Sequence, residues 1–425
     1  MEAPPLALLI LLMGPSLHTS PPLPAQPDVA AAAPVVEKRA FVVVWNVPTA
    51  RCQEHFNIHL DLRHFDIVEN HDQHFQGQRM TIFYRDRLGK YPYVSRDGVE
   101  VNGGIPQRGH LQDHLTLMSE QLSVCLQPNF TGLAVIDWEE WRPLWETNFG
   151  TKMVYRKLSK RLVRQQRPDW SERAVSELAR SRFEENAQRF MENTLLLAVN
   201  HRPKGLWGFY GFPTCFNNKK NTNQSYTGQC HKDTKHTNDR LSRLWTQSTA
   251  LYPSIYLPQR MGGSVDGALM VRHRVQEALR VASRWRHGNH PSQATPTLPY
   301  ARIAFTHTLN FLSQSDLEHT LGQSASLGAA GVVLWGEMKF AKSKKQCILL
   351  RDYINNHLGP FVQSLRSDTQ RCSLLRCHGN GRCVQQHLMS TSIDAKFRIH
   401  NDSHKPYGCQ CYKGWSGRRC EEENN

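Results

Sequence analysis

Gly132-Leu-Ala-Val-Ile-Asp137-Trp138-Glu139-Glu140-Trp141-Arg142-Pro143 decides the reading of this chain. The apolar, partly β-branched run is a buried strand, and it ends abruptly at acidic residues. Residues two apart on a strand face the same way, so Asp137 and Glu139 share one side and Trp138 takes the other. Carboxyl groups this close push one pKa up. A protonated Glu at a strand end is the donor that a departing glycosidic oxygen needs.

Working outward, similar runs occur at residues 40–45, 80–84, 206–210, 254–256, 301–305 and 331–335. Helical patterns lie between them, at 171–199, 268–285 and 315–326, and another at 344–358 follows the last run. Strands alternating with helices mean a parallel sheet with crossover helices. The expected fold is α/β, a distorted (β/α) TIM-type barrel with one strand missing or irregular. Such barrels carry their chemistry at the C-terminal strand ends, where Tyr84, Asp137, Glu139, Tyr210, Tyr256 and Trp335 stand.

Most glycosidases set a second carboxylate on another element. Here the two acids adjoin, which suits the substrate-assisted exceptions, in which the sugar's own acetamido carbonyl attacks the anomeric carbon. Asp137 would then orient that group and stabilise its developing positive charge.

The 425 residues accommodate one large domain and a small appendage. Residues 1–20, with the apolar run Leu6 to Met13, read as a signal peptide, and 21–38 as a Pro/Ala-rich linker. The barrel is expected over 39–365 and a disulfide-rich module over 366–425. No later stretch has spanning length and no hydrophobic tail follows Cys420, so neither a membrane span nor a lipid anchor is expected. Sequons at Asn129, Asn223 and Asn401 agree with export, to the outside or to the lumen of acidic vesicles.

The net charge of +15, with 21 His besides, calls for a polyanionic partner. For an exported, glycosylated chain that partner is a glycosaminoglycan and not nucleic acid. The basic run over 156–164 reads as the solvated face of a helix. No cysteine or histidine cluster has zinc-like spacing, so neither metal nor cofactor is expected, and the chain is expected to be a monomer.

Eleven Cys imply five disulfides and one leftover thiol. Cys215 and Cys230 lie near enough to close a loop, and Cys52 with Cys347 would tie the start of the domain to its end. Cys125, in an apolar helical segment, reads as a buried inert thiol. The spacing Cys372-x4-Cys377-x5-Cys383 and Cys409-x-Cys411-x8-Cys420 resembles an epidermal-growth-factor-like module. That resemblance implies the pairs Cys372–Cys383, Cys377–Cys409 and Cys411–Cys420.

Taken together, Phe41-Val-Val-Val-Trp45-Asn-Val-Pro48, Met80-Thr-Ile-Phe-Tyr84, Asn102-Gly-Gly-Ile-Pro-Gln107, the 132–143 stretch, Leu206-Trp-Gly-Phe-Tyr-Gly-Phe-Pro213, Leu251-Tyr-Pro-Ser-Ile-Tyr256 and Gly328-Ala-Ala-Gly-Val-Val-Leu-Trp335 resemble the animal hyaluronidases. The family implies an endo-β-N-acetylhexosaminidase that cuts β-1,4 linkages of hyaluronan, and chondroitin more weakly. Carried over, Glu139 is the general acid/base and Asp137 positions the acetamido group. Tyr210 and Tyr256 contact that group and the transition state, Trp335 packs on the sugar, and Tyr84 and Arg142 line the cleft. Thr214 and Thr306 stand where active relatives often carry Asp. With Gln73-His-Phe-Gln-Gly-Gln78, Thr214 places the chain nearest the third vertebrate branch, associated with weak activity, sperm and the acrosome, and acidic vesicles. The alternative expectation is a hyaluronan-binding protein with little or no turnover, for example in sperm–egg interaction.

Overall fold

The computed structural model describes residues 29–69, 77–219, 225–285, 293–385 and 407–424. The expected signal peptide, Asn223 and Asn401 lie outside them. Ahead of the C-terminal segment the described strands are β1 Val42–Asn46, β2 Ile67–Val68, β3 Met80–Tyr84, β4 Tyr93–Val94, β5 Glu100–Val101, β6 Leu133–Asp137, β7 Leu206–Phe209, β8 Tyr300–Arg302 and β9 Gly331–Trp335.

Two parallel sheets, β3-β6-β7 and β2-β1-β9-β8, form the barrel wall. Single bridges, Tyr210 to Tyr252, Leu251 to Thr297 and Ser254 to Tyr300, carry the wall from β7 to β8. The strand expected at 254–256 is thereby reduced to bridge positions. Pro253 is the cause, since it has no N–H to give to a ladder; its carbonyl still accepts from Tyr300 N at 2.8 Å. Among the described residues β2 and β3 do not pair, so the ring stays open there. The barrel is TIM-like and unclosed.

Strand side chains alternate between two apolar environments, which is why the strands read as continuous apolar runs. Val42, Val44, Met80, Ile82, Leu133, Val135 and Val333 fill the lumen. Val43, Trp45, Val332 and Leu334 pack outward in one cluster, and Phe83, Ala134, Ile136 and Trp207 in another. Helices Leu111–Cys125, Met153–Gln166, Glu172–His201 and Val265–Arg284 follow the crossover pattern. Ser171 caps the longest, its hydroxyl accepting from Ala174 N at 3.2 Å. In Met153–Gln166 the buried positions are Tyr155, Ser159 and Val163, which leaves Lys157 and Arg161 exposed. The antiparallel pair β4–β5 was not anticipated: two-residue strands leave no periodic pattern, and only Asp97-Gly98 between them marks a turn.

The five disulfides join Cys52–Cys347, Cys215–Cys230, Cys372–Cys383, Cys377–Cys409 and Cys411–Cys420. Cys125 is free and half-buried at the end of its helix, more open than a core thiol. The helix Gly359–Cys377 runs unbroken through the expected boundary at 365/366 and delivers Cys372 and Cys377 to the disulfide-rich segment. Part of the expected linker is docked: Ala31 and Ala32 are buried, and the buried Arg382 guanidinium donates to the carbonyls of Ala32, Ala33 and Ala40 at 2.6 to 3.2 Å.

Candidate active site

Register brings the functional side chains to one end of the barrel. Tyr84 and Asp137, the last residues of β3 and β6, are partners across the ladder. Asn46, Trp335 and Arg302, the last residues of β1, β9 and β8, are likewise in register. Tyr210 follows β7 directly. Trp335 Nε1 donates to the Tyr84 hydroxyl at 3.2 Å, a bond that joins the two sheets. Tyr210 lies 5.8 Å from the Tyr256 ring, Tyr256 stacks on Trp335 at 6.2 Å, and Tyr210 donates to Ser254 Oγ at 3.3 Å. The Arg302 guanidinium covers both Tyr256 and Trp335 and is fixed by Glu337 at 2.8 Å.

Strand β6 stops at Asp137, two residues before Glu139, so strand alternation does not by itself orient Glu139 and packing supplies the rest. Trp138 and Trp141 are buried against Tyr91, with ring centroids 4.4 and 5.1 Å away, and Trp141 Nε1 donates to Pro92 O at 2.7 Å. Glu139 is held between these two anchors. It keeps a solvent-facing edge in a cleft of about 310 Å³ that also presents Arg142, Lys152, Tyr210, Thr214, Phe216 and Arg274. A larger cavity of about 630 Å³ sits by Leu206, at the opposite end of the strands, and has no acid in its lining. Size alone therefore does not locate the chemistry.

Burial pushes the Asp137 carboxyl well above the usual range, and the negative charges of Glu139 and Glu140 push the same way. The surrounding protein also raises Glu139; Lys152 opposes the rise, Glu140 adds to it and Arg142 opposes it. Asp137 Oδ1, both amide atoms of Asn46 and the Tyr300 hydroxyl are buried with no hydrogen-bond partner in the described protein. Polar atoms left this way at a barrel mouth are set to meet a ligand. Such a site can donate a proton from Glu139 and grip a polar group beside it.

The structure thus gathers Asp137, Glu139, Tyr84, Tyr210, Tyr256, Trp335 and Arg142. Asn46, Lys152, Arg274 and Arg302 escaped the sequence reading. Arg274 left a signal, a charge within the stripe Gly267, Met270, Val271 and Ala278 of an otherwise apolar helix face. Lys152, in the turn Gly150–Lys152, left none.

The model of the family described as hyaluronidase matches residues 30–399. Hyaluronidase-3 of Homo sapiens is 43% identical over 393 residues, 92% of this chain and 92% of that protein. Hyaluronidase-1 of Mus musculus is 41% identical over 414 residues, covering 91% and 88%. Among solved structures, bee venom hyaluronidase in complex with a hyaluronic acid tetramer superposes with a TM-score of 0.68 at 34% identity, covering 76% of this chain and 99% of that one.

Proposed function

This chain belongs to the hyaluronidase family and is a glycoside hydrolase, and from that premise we propose that it cuts hyaluronan internally at β-1,4 N-acetylhexosaminide linkages, and chondroitin more weakly. One observation carries the mechanism: among the described residues lining the cleft, Glu139 is the sole acid, and half-buried Asp137, with Oδ1 shut off from solvent, lies beside it. Nearby acids are engaged elsewhere, Glu140 with Arg85 and Glu337 with Arg302. Among the described residues no carboxylate is left to serve as nucleophile across the cleft, which supports a nucleophile supplied by the substrate.

In the first step Glu139 passes its proton to the glycosidic oxygen while the acetamido carbonyl oxygen attacks C1, and the C1–O4 bond breaks. Asp137 takes the acetamido N–H on its unpartnered oxygen. Burial makes that bond strong as positive charge grows on the group. In the second step the Glu139 carboxylate removes a proton from water, which adds to C1 and restores the acetamide. Tyr210 and Tyr256 bound the acetamido pocket, Trp335 supports the sugar ring, and Tyr84 and Arg142 line the approach. Thr214, in the cleft wall, adds no carboxylate there.

The test follows hyaluronan chain length from acid to neutral pH for wild type and Glu139→Gln. Loss of the general acid is expected to lower kcat by roughly 10²- to 10⁴-fold. Equal shortening by both proteins would remove Glu139 from the mechanism. We place the protein on the secretory route, a reading supported by the five disulfides and by the exposed Asn129 sequon.

A further inference from the structure

Several arginines with little exposure are held by acidic partners, Arg302 by Glu337 at 2.8 Å, Arg280 by Glu277 at 2.8 Å and Arg366 by Asp66 at 2.5 Å, whereas Arg202, Arg274 and Arg382 spend their guanidinium groups on backbone carbonyls and amide oxygens. The two cations beside Glu139 are less fully engaged. Arg142 and Lys152 both face the cleft, and among the described residues neither has a carboxylate within ion-pair distance. Two neighbouring cations repel one another and lose hydration in the recess, an arrangement that costs stability unless an anion joins them.

Their scaffold is built to hold them there. Asn148, fully buried, accepts from Arg142 N at 2.8 Å and donates to the carbonyls of Arg142 and Leu144 at 2.8 and 2.9 Å. Arg142 Nη1 donates to Thr147 O at 2.7 Å, and the guanidinium lies 5.2 Å from the Phe149 ring and 5.0 Å from Phe216. One guanidinium nitrogen is thus spent on fixing the group, and the others remain for a ligand. Lys152 ends the turn that begins at Gly150, with its backbone N–H on Phe149 O.

We infer that Lys152 and Arg142 form a carboxylate subsite for the uronate whose O4 is the leaving oxygen, the sugar on the far side of the bond from the N-acetylhexosamine. This rests on the hydrolase reading above and adds a specificity element to it. The polymer's chemistry requires such an element. In a β-1,4 linkage to a uronate the carboxylate hangs from C5, the carbon next to the one bearing the leaving oxygen. Any acid that protonates that oxygen therefore works close to a negative charge, and the cations must stand where these stand. A neutral N-acetylglucosamine polymer presents no such charge to them.

Carboxyl-reduced hyaluronan, in which glucose replaces glucuronate, is the probe. Wild type is expected to favour native over reduced polymer in kcat/KM by roughly tenfold to a hundredfold, the worth of a charge-assisted contact. Lys152→Gln should lose most of that factor on the native polymer and little on the reduced one, and Lys152→Arg should restore part of the preference. Lys157→Gln, which removes the same charge from the exposed helix face, should leave the preference as in wild type. Equal loss by Lys152→Gln on both polymers overturns the subsite, as does a wild type blind to the carboxylate. Binding of both polymers to Glu139→Gln, with and without Lys152→Gln, reads the subsite without turnover. Failure of the hydrolase reading would leave that binding preference intact, whereas failure of the subsite would abolish its dependence on Lys152.

Discussion

Asp137 illustrates how a desolvated acid is held at a cost. Its folded pKa lies above the unfolded value of about 3.9, so between those two pH values the folded state binds more protons than the unfolded one. Stability therefore falls as pH rises from about 4 through that window, and is recovered as pH drops below it. Asp137→Asn removes the titration while keeping the shape. It should abolish most turnover yet melt a few degrees above wild type at neutral pH, with the gap closing below about pH 4. Calorimetry at the two pH values checks this, and a pH-independent gap would show that charge burial is not the cause. The same trade of stability for function describes Lys152 and Arg142, both lowered in pKa by burial first.

At the scale of elements, what holds the site together lies far from it in sequence. Residues 251–254 form no strand because Pro253 interrupts the ladder, yet they place Ser254 and Tyr256 against Tyr210 through single bridges. Cys52, in the short helix after β1, is tied to Cys347, in the helix after β9, across 295 residues. That bond pins together the helices behind β1 and β9, whose ends carry Asn46 and Trp335. Replacing both cysteines by Ser should cost about 3–5 kcal/mol of stability, as expected for releasing so long a loop. Urea titration measures the loss. An unchanged midpoint would show that the β1–β9 ladder alone holds this edge.

For the whole molecule, five disulfides, a net charge of +15 and a cleft whose cations have no carboxylate partner among the described residues agree with the proposed secretory route and anionic polymer. The disulfide-rich C-terminal segment is integrated with the barrel through the continuous helix Gly359–Cys377 and through Arg382, which grips the chain just before β1. Expressed in a secreting animal cell, the protein should carry a glycan on Asn129, seen as a mobility shift on treatment with peptide-N-glycosidase that Asn129→Gln reduces. A protein recovered without glycan at that asparagine would count against passage through the secretory route. Among the described residues no helix is long and apolar enough to cross a membrane.

By itself the sequence determined the long strands and helices and the acid pair, but neither the β4–β5 pair nor the loss of the strand at 254–256. Apolar runs ending in Asp137, Tyr84 and Trp335 mark strand termini, because alternation and β-branching are local properties that a chain states in its own order. Cysteine spacing was equally legible. Only the tertiary structure decided which ends meet: Trp335 reaches Tyr84 over 251 positions, and a short turn carries Lys152 into the cleft beside Glu139. The physical reason is that periodicity fixes which face of a segment is buried, whereas the partner of that face is set by packing and loop closure. Cations such as Lys152 and Arg142, which lack a carboxylate partner among the described residues, are recognisable only once the space around them is known.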